Sequence, residues 1–157
     1  MRNKYTLLYI YATLAVAMVL TACHGHTVFH HFEHTSIEGW DRSDTLYFQI
    51  PQVAEEGDYD GELEVRITDD FPFVSMDVVI ERTILPSGQK HSETLTCRLI
   101  DNQGRPLGEG VSEYQNCFPL QTLHLQRGDS VAVSVYHFMR HETLKGITDV
   151  GIRMGLQ

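Results

Sequence analysis

Cations are scarce in this chain. Twelve Lys and Arg stand against 21 Asp and Glu in 157 residues, a formal net charge of −9 at pH 7. A protein that neutralises phosphates needs a basic surplus, so nucleic acid is excluded as a partner, and so is charge-driven adhesion to an anionic membrane. After the first 22 residues no apolar run is long enough to cross a bilayer. No helical period of useful length appears in that region either, and its apolar residues alternate instead of running on, which argues against a parallel α/β sheet. There is no repeat at a fixed period and no G-x-S-x-G nucleophile elbow.

What is present begins at the N-terminus. Arg2 and Lys4 precede an apolar stretch from Tyr5 to Leu20, followed by Thr21-Ala22-Cys23. A basic head, an apolar middle and small residues at a cleavage point make a secretory signal, too short for a membrane span and with no stop-transfer charge behind it. Leu20-Thr21-Ala22-Cys23 also resembles the bacterial lipoprotein box, in which cleavage precedes the cysteine and lipid is attached to it. The expectation is a signal peptide over 1–22, lipidation at Cys23, a lipidated tether over 23–36 and one domain over 37–157. Removing the signal takes away two basic and no acidic residues, so the mature chain is more acidic still.

The tether region, His24 to Ser36, holds five histidines, His24, His26, His30, His31 and His34. Imidazole is a common metal ligand, but the spacing fits no closed zinc signature and only Cys23 lies near, so no metal and no cofactor is expected. Beyond it, period-2 alternation marks strands. Leu46, Phe48 and Ile50 form one inner row; Leu63, Val65 and Ile67 the next; then Val74, Met76, Val78 and Ile80; Leu95, Cys97 and Leu99; and Val131, Val133 and Val135. Phe71-Pro72-Phe73 breaks the pattern as a corner, because proline cannot donate to a central ladder. Phe118 to Leu125 changes parity midway, the mark of a bulge or a bend. Arg127-Gly128-Asp129 reads as a turn, Met139 to Gly146 as one helical turn ended by glycine, and Ile147 to Leu156 as a closing strand. The fold class expected is all-β: a single antiparallel β-sandwich of about eight strands, immunoglobulin-like or jelly-roll-like, behind the N-terminal lipoprotein signal.

Several residues are candidates for more than packing. Cys97 and Cys117 are an even pair flanking a Gly-rich loop, either bridged in an oxidising compartment or left as two thiols with Cys97 in the core. In the last strand, Asp149, Gly151, Arg153 and Gly155 share a face whose bare glycines call for a close approach by a partner or by a neighbouring part of the chain itself. Arg140, Lys145 and Arg153 make a basic group on an acidic domain, a candidate surface for docking a protein. Paired acids such as Asp69-Asp70 and Glu55-Glu56 sit where solvated acids are ordinary, and catalysis is not expected. A carbohydrate-binding sandwich is the rival reading, with Trp40, Tyr47, Tyr59 or Tyr114 as sugar platforms.

The order of features also carries a family resemblance. Trp40-Asp41 precedes Leu46-Tyr47-Phe48, a strand ends at Asp70 before Phe71-Pro72-Phe73, and a Gly-Arg-Pro-Leu-Gly loop spans Gly104 to Gly108. The ending contains Phe138-Met139-Arg140, Leu144-Lys145-Gly146-Ile147 and Asp149-Val150-Gly151-Ile152-Arg153. With the lipoprotein cysteine, this resembles the gliding-motility lipoprotein GldH family of the Bacteroidetes. The resemblance implies a cell-envelope lipoprotein, on the periplasmic face or the outer membrane. It would be held by its lipid, would have no catalytic residues, and would have partners in the motility apparatus and the protein-secretion machinery linked to it.

Overall fold

A computed structural model describes residues 26–157. The strands in chain order are β1 (His26–His34), β2 (Trp40–Asp41), β3 (Leu46–Ile50), β4 (Gly57–Ile67), β5 (Ser75–Leu85), β6 (Gln89–Arg98), β7 (Glu109–Gly110), β8 (Tyr114–Leu125), β9 (Ser130–His137), β10 (Thr143–Leu144) and β11 (Ile147–Leu156). A five-stranded sheet runs β1-β11-β4-β8-β7 and a four-stranded sheet β3-β9-β5-β6, with β10 and β2 as a two-stranded flap; every pairing is antiparallel.

Setting aside the three two-residue pieces, one sheet places the eight long strands in the order first, eighth, third, sixth. The other places them second, seventh, fourth, fifth. That interleaving is the jelly roll, and it decides between the two topologies that alternation alone left open. The inner faces carry the core. Leu63, Val65 and Ile67 of β4, with Val150 and Ile152 of β11, face Val78 and Ile80 of β5 and Val131, Val133 and Val135 of β9, all buried. Each such side chain contributes roughly 1.5–3 kcal/mol by leaving water.

The parity change in β8 is a bulge. Gly61 pairs with Leu120 and Tyr59 with Leu123, so Gln121 and Thr122 together oppose Asp60. This returns both Leu120 and Leu123 to the core face.

Four expectations need correction. Residues from His26 are no tether but strand β1, paired with β11 from His26↔Leu156 to His34↔Asp149. Met139 to Gly146 forms no helical turn; Thr143 and Leu144 pair with Asp41 and Trp40, which puts Leu144 in the core. Glycine still ends the segment, for Gly146 has φ +75° and an added Cβ would lie 2.3 Å from the Phe71 nitrogen. Val74 is 51% exposed, because the Phe71-Pro72-Phe73 corner places it before β5 begins, at the mouth of the sandwich.

The fourth is the bridge between Cys97 and Cys117, which does not form: both are free thiols. Cys97 points inward from the four-stranded sheet and is fully buried, whereas Cys117 lies on the outer face of the other sheet. A whole sheet separates the two side chains. Burial pushes the Cys97 thiol up to about 12, with Asp77 adding to the effect, so it behaves as a small core residue.

One inner row carries a charge. On β5, Arg82 shares its face with Val78, Ile80 and Ile84, and its side chain is 4% exposed. It pairs with Glu93 of β6, while its Nη1 donates to the Gln121 carbonyl at 2.6 Å in the bulge of the opposite sheet. Glu93 in turn accepts from the Gln121 backbone N–H at 3.2 Å. The irregular stretch of β8 is thus tied to the facing sheet by one guanidinium and one carboxylate. Burial lowers the Arg82 pKa, opposed by the charge of Glu93.

Candidate functional site

Polar chemistry concentrates on the outer face of the five-stranded sheet, where register stacks three rows of side chains. Pro119, Glu62, Arg153 and His30 form the first, Cys117, Glu64, Gly151 and Phe32 the second, and Gln115, Arg66, Asp149 and His34 the third. Acids and bases alternate within and between rows. Arg153 pairs with Glu62, and its Nε lies 3.3 Å from Glu64 Oε1. Glu64 also meets His30 Nε2 at 3.0 Å and accepts from Gln115 Nε2 at 3.0 Å. Arg66 Nε donates to Gln115 Oε1 at 3.1 Å, and Asp149 is paired with His34.

These contacts explain why Glu64, on a face open to water, is only 2% exposed, and Asp149 only 5%. The roof over them is Phe32. Gly151 beneath it has no side chain, and an added Cβ would lie 2.6 Å from the Phe32 ring. The Arg66 guanidinium stacks 3.8 Å from the centre of that ring. The close approach that the glycines of β11 call for therefore comes from the chain's own first strand.

Glu62, Glu64 and Cys117 bring oxygen and sulfur ligand atoms within 4.8 Å of one another. Arg153, ion-paired to both carboxylates, already supplies their positive charge. Burial raises the Cys117 pKa, and Glu64 raises it further, so the sulfur stays protonated and is a poor metal ligand or nucleophile at neutral pH. The histidines of β1 follow the same pattern: His30, His31 and His34 each meet a carboxylate, Glu64, Glu33 and Asp149 respectively. His24 and Cys23 lie outside the described residues.

Of the three docking candidates, Arg140 and Lys145 are exposed on the same connection between β9 and β11. Arg153 does not join them. It lies six residues along β11 from Ile147, roughly 20 Å away, and is held by Glu62, whose hydrogen bond raises its pKa. The candidate sugar platforms are not a platform either. Trp40 and Tyr59 are each 1% exposed, Tyr114 is half-buried, and only Tyr47 stands in solvent. Trp40 closes the core: its Nε1 donates to the Asp44 carbonyl at 2.9 Å, and its ring meets buried His137 edge-on at 5.2 Å.

Burial lowers the His137 pKa and keeps it neutral, with Nε2 3.2 Å from the Trp40 carbonyl. Sequence reasoning missed this histidine and Glu64 alike. For His137 the signal was there, a polar residue continuing the inner row of Val131, Val133 and Val135; for Glu64 there was none.

The fold and this face define an antiparallel jelly-roll domain whose buried charges lock its own strands together, the two chain-terminal strands among them. Its family is settled by sequence: residues 27–154 match the GldH lipoprotein family, and the chain belongs to it. It is thus a cell-envelope lipoprotein of a family associated with gliding motility and not known as an enzyme family. Nothing among curated proteins matches the chain.

Solved structures share the architecture only loosely. A family GH115 4-O-methyl-alpha-glucuronidase with specificity for decorated arabinogalactans aligns at 12% identity and TM-score 0.48, over 87% of this chain and 18% of the enzyme. The cycloalternan-forming enzyme of Listeria monocytogenes aligns at 20% identity and TM-score 0.40, over 83% and 11%. A family 35 carbohydrate binding module from Clostridium thermocellum aligns at 7% identity and TM-score 0.37, over 82% and 95%. The chain spans under a fifth of the two enzymes. Likenesses this weak carry no reading of its ligand.

Proposed function

We propose that this protein is a non-catalytic component of the gliding-motility apparatus and the secretion machinery linked to it, fixed to its membrane by lipid on Cys23. The observation that carries the reading is the family match, which spans nearly the whole jelly roll and begins four residues after the lipoprotein cysteine. One acyl chain holds a protein only marginally, at about 0.8 kcal/mol per buried methylene, so stable anchoring calls for several chains on that residue. The paired polar groups of the outer face favour a structural or docking role over chemistry. Arg140 and Lys145 remain the basic groups placed to meet a protein partner; Arg153, engaged by Glu62, is withdrawn from that set.

Fractionation tests the anchor. Cys23→Ser should leave the protein unprocessed or move it to the soluble fraction, and a processed mutant that still partitions into detergent like the parent rejects the lipid. Affinity capture of the full-length protein, with mass spectrometry of co-purified envelope proteins, tests the role. Motility or secretion components should be retained, and should weaken in Arg140→Glu/Lys145→Glu while the melting temperature stays put, since exposed charges contribute under about 1 kcal/mol. Capture of none of them, or unchanged capture by the double variant, rejects respectively the role or the patch.

A further inference from the structure

Both ends of the described chain lie at one end of the sandwich. His26 pairs with Leu156, and the Gln157 N–H donates to the Asp58 carbonyl at 3.0 Å. The β3–β4 connection is at this end too, held where Val53 N–H donates to the Asp129 carbonyl at 2.8 Å and Gly128 N–H to the Val53 carbonyl at 2.9 Å. So is the β5–β6 turn, because Leu85 pairs with Ser130 beside it. The connections at 35–45, 68–74, 99–113 and 138–146 all lie at the opposite end.

Only His24 and Gly25 separate Cys23 from His26, and three extended Cα-to-Cα steps reach about 11 Å. The eleven residues of β4 span roughly 35 Å along the body. Because β1 is built into the sheet, and not a free leash, an anchor at Cys23 holds the terminal end of the sandwich against the headgroups. The composition of that end suits the contact. Two of its turns read Pro51-Gln52-Val53-Ala54 and Leu85-Pro86-Ser87-Gly88-Gln89, uncharged throughout, with Leu85 and nearby Val28 each 38% exposed, and the third, Gln126-Arg127-Gly128-Asp129, carries one charge of each sign. Lying flat on the outer sheet face would instead strip water from Glu62 and Arg153, and desolvating charge costs far more than covering neutral turns. The exposed apolar side chains Ile37, Val74, Leu107, Val111 and Phe138 belong to the connections at the opposite end.

The geometry points to an end-on stance on a lipid surface: the turns at 51–54 and 85–89 rest on the bilayer, and the connections bearing Ile37, Val111, Phe138, Arg140 and Lys145 project away from it. This rests on lipidation at Cys23 as proposed above. The contact is imposed by the short tether, since Glu55, Glu56, Asp58 and Asp129 at the same end outnumber Lys90 and Arg127 and give anionic lipid no net electrostatic hold.

The test uses the lipid-modified full chain in phosphatidylcholine vesicles containing a headgroup-nitroxide lipid. A fluorophore is attached at Ser87→Cys or at Val111→Cys, each with Cys117→Ser so that no second exposed thiol reacts. The label at position 87 should be quenched several-fold more than the label at position 111. A Gly/Ser spacer of about twelve residues inserted between Gly25 and His26 adds a mean reach of roughly 20 Å and should relieve the quenching at 87. Equal quenching at the two positions means the domain lies flat and overturns the stance; quenching at 87 that survives the spacer overturns the tether as its cause. A chain that fails to float with the vesicles at all refutes the anchor itself, and the stance falls with it.

Discussion

The Arg82–Glu93 pair allows a quantitative test, because both side chains sit between the sheets, 4% and 9% exposed. Glu93→Ala leaves the guanidinium in place with one carbonyl, that of Gln121, and no countercharge. Breaking a buried pair from one side costs about 3–5 kcal/mol, mainly the cost of an uncompensated buried charge. Total stability for a domain of this size is on the order of 5–15 kcal/mol, so the variant should retain the fold with a small margin. Replacing both partners, as Arg82→Met/Glu93→Met, removes the charges together and should recover most of the loss. Urea unfolding of the Cys23→Ser chain reads this out through Trp40, the only tryptophan and a buried one. With a slope near 2 kcal/mol per molar, Glu93→Ala should lower the midpoint by about 2 M, while the double variant should lie near the parent. A shift for Glu93→Ala under about 0.5 M would mean that the guanidinium reaches water and that the clasp contributes little.

Thiol labelling of the folded protein under alkaline conditions, where Cys117 ionises, should modify that exposed thiol and spare Cys97 until urea unfolds the chain; two reactive thiols in the folded state would contradict the buried position of Cys97. Gly151→Val should destabilise the domain by about 1–3 kcal/mol by driving Phe32 off its seat, and Phe32→Ala placed with it should recover part of that loss in melting experiments. His137 has its pKa depressed by burial, so the unfolded chain takes up its proton first. Its contribution is intact above the ordinary value near 6.5 and is lost as pH falls through that value toward the folded pKa. His124, raised by its hydrogen bond to Asp58, acts oppositely: its contribution is present below 6.5 and fades as pH rises through its folded pKa. His137→Phe should flatten the acid-side decline between pH 7 and 5 in a series of unfolding curves, and an unchanged decline would place its cause elsewhere.

Alternation made most of the sandwich legible in sequence because one face of each strand is buried and the other wet. The inner rows of β3, β4, β6, β9 and β11 stand where that rule puts them, and the parity change at Leu120 and Leu123, legible as either a bulge or a bend, is a bulge. The rule fails where polar residues are buried in pairs. Strand β1 reads as a tether because its histidines look solvated, yet His30 and His34 meet buried carboxylates more than thirty positions away in sequence. Arg82 and Glu93 occupy inner rows for a like reason. Hydropathy counts each residue alone, so it cannot see a charge satisfied by another strand. The docking triad fails differently: Arg153 is near Lys145 in sequence but is carried along a ten-residue strand.

The pairing of β1 with β11 also sets an order of events. His26 and Leu156 are partners, so the first strand to leave the export machinery waits for the last, with more than a hundred residues made and moved in between. Loops of that span close late, after the local hairpins such as β5–β6 have formed. While it waits at the membrane, β1 presents a solvated histidine-rich segment instead of an apolar edge, a composition that resists clumping with neighbours in the same state. A chain ending at Gly146 should never complete this step, and protease should cut it within His26–His34 while the parent resists; equal resistance would show that the first strand finds its place without the last.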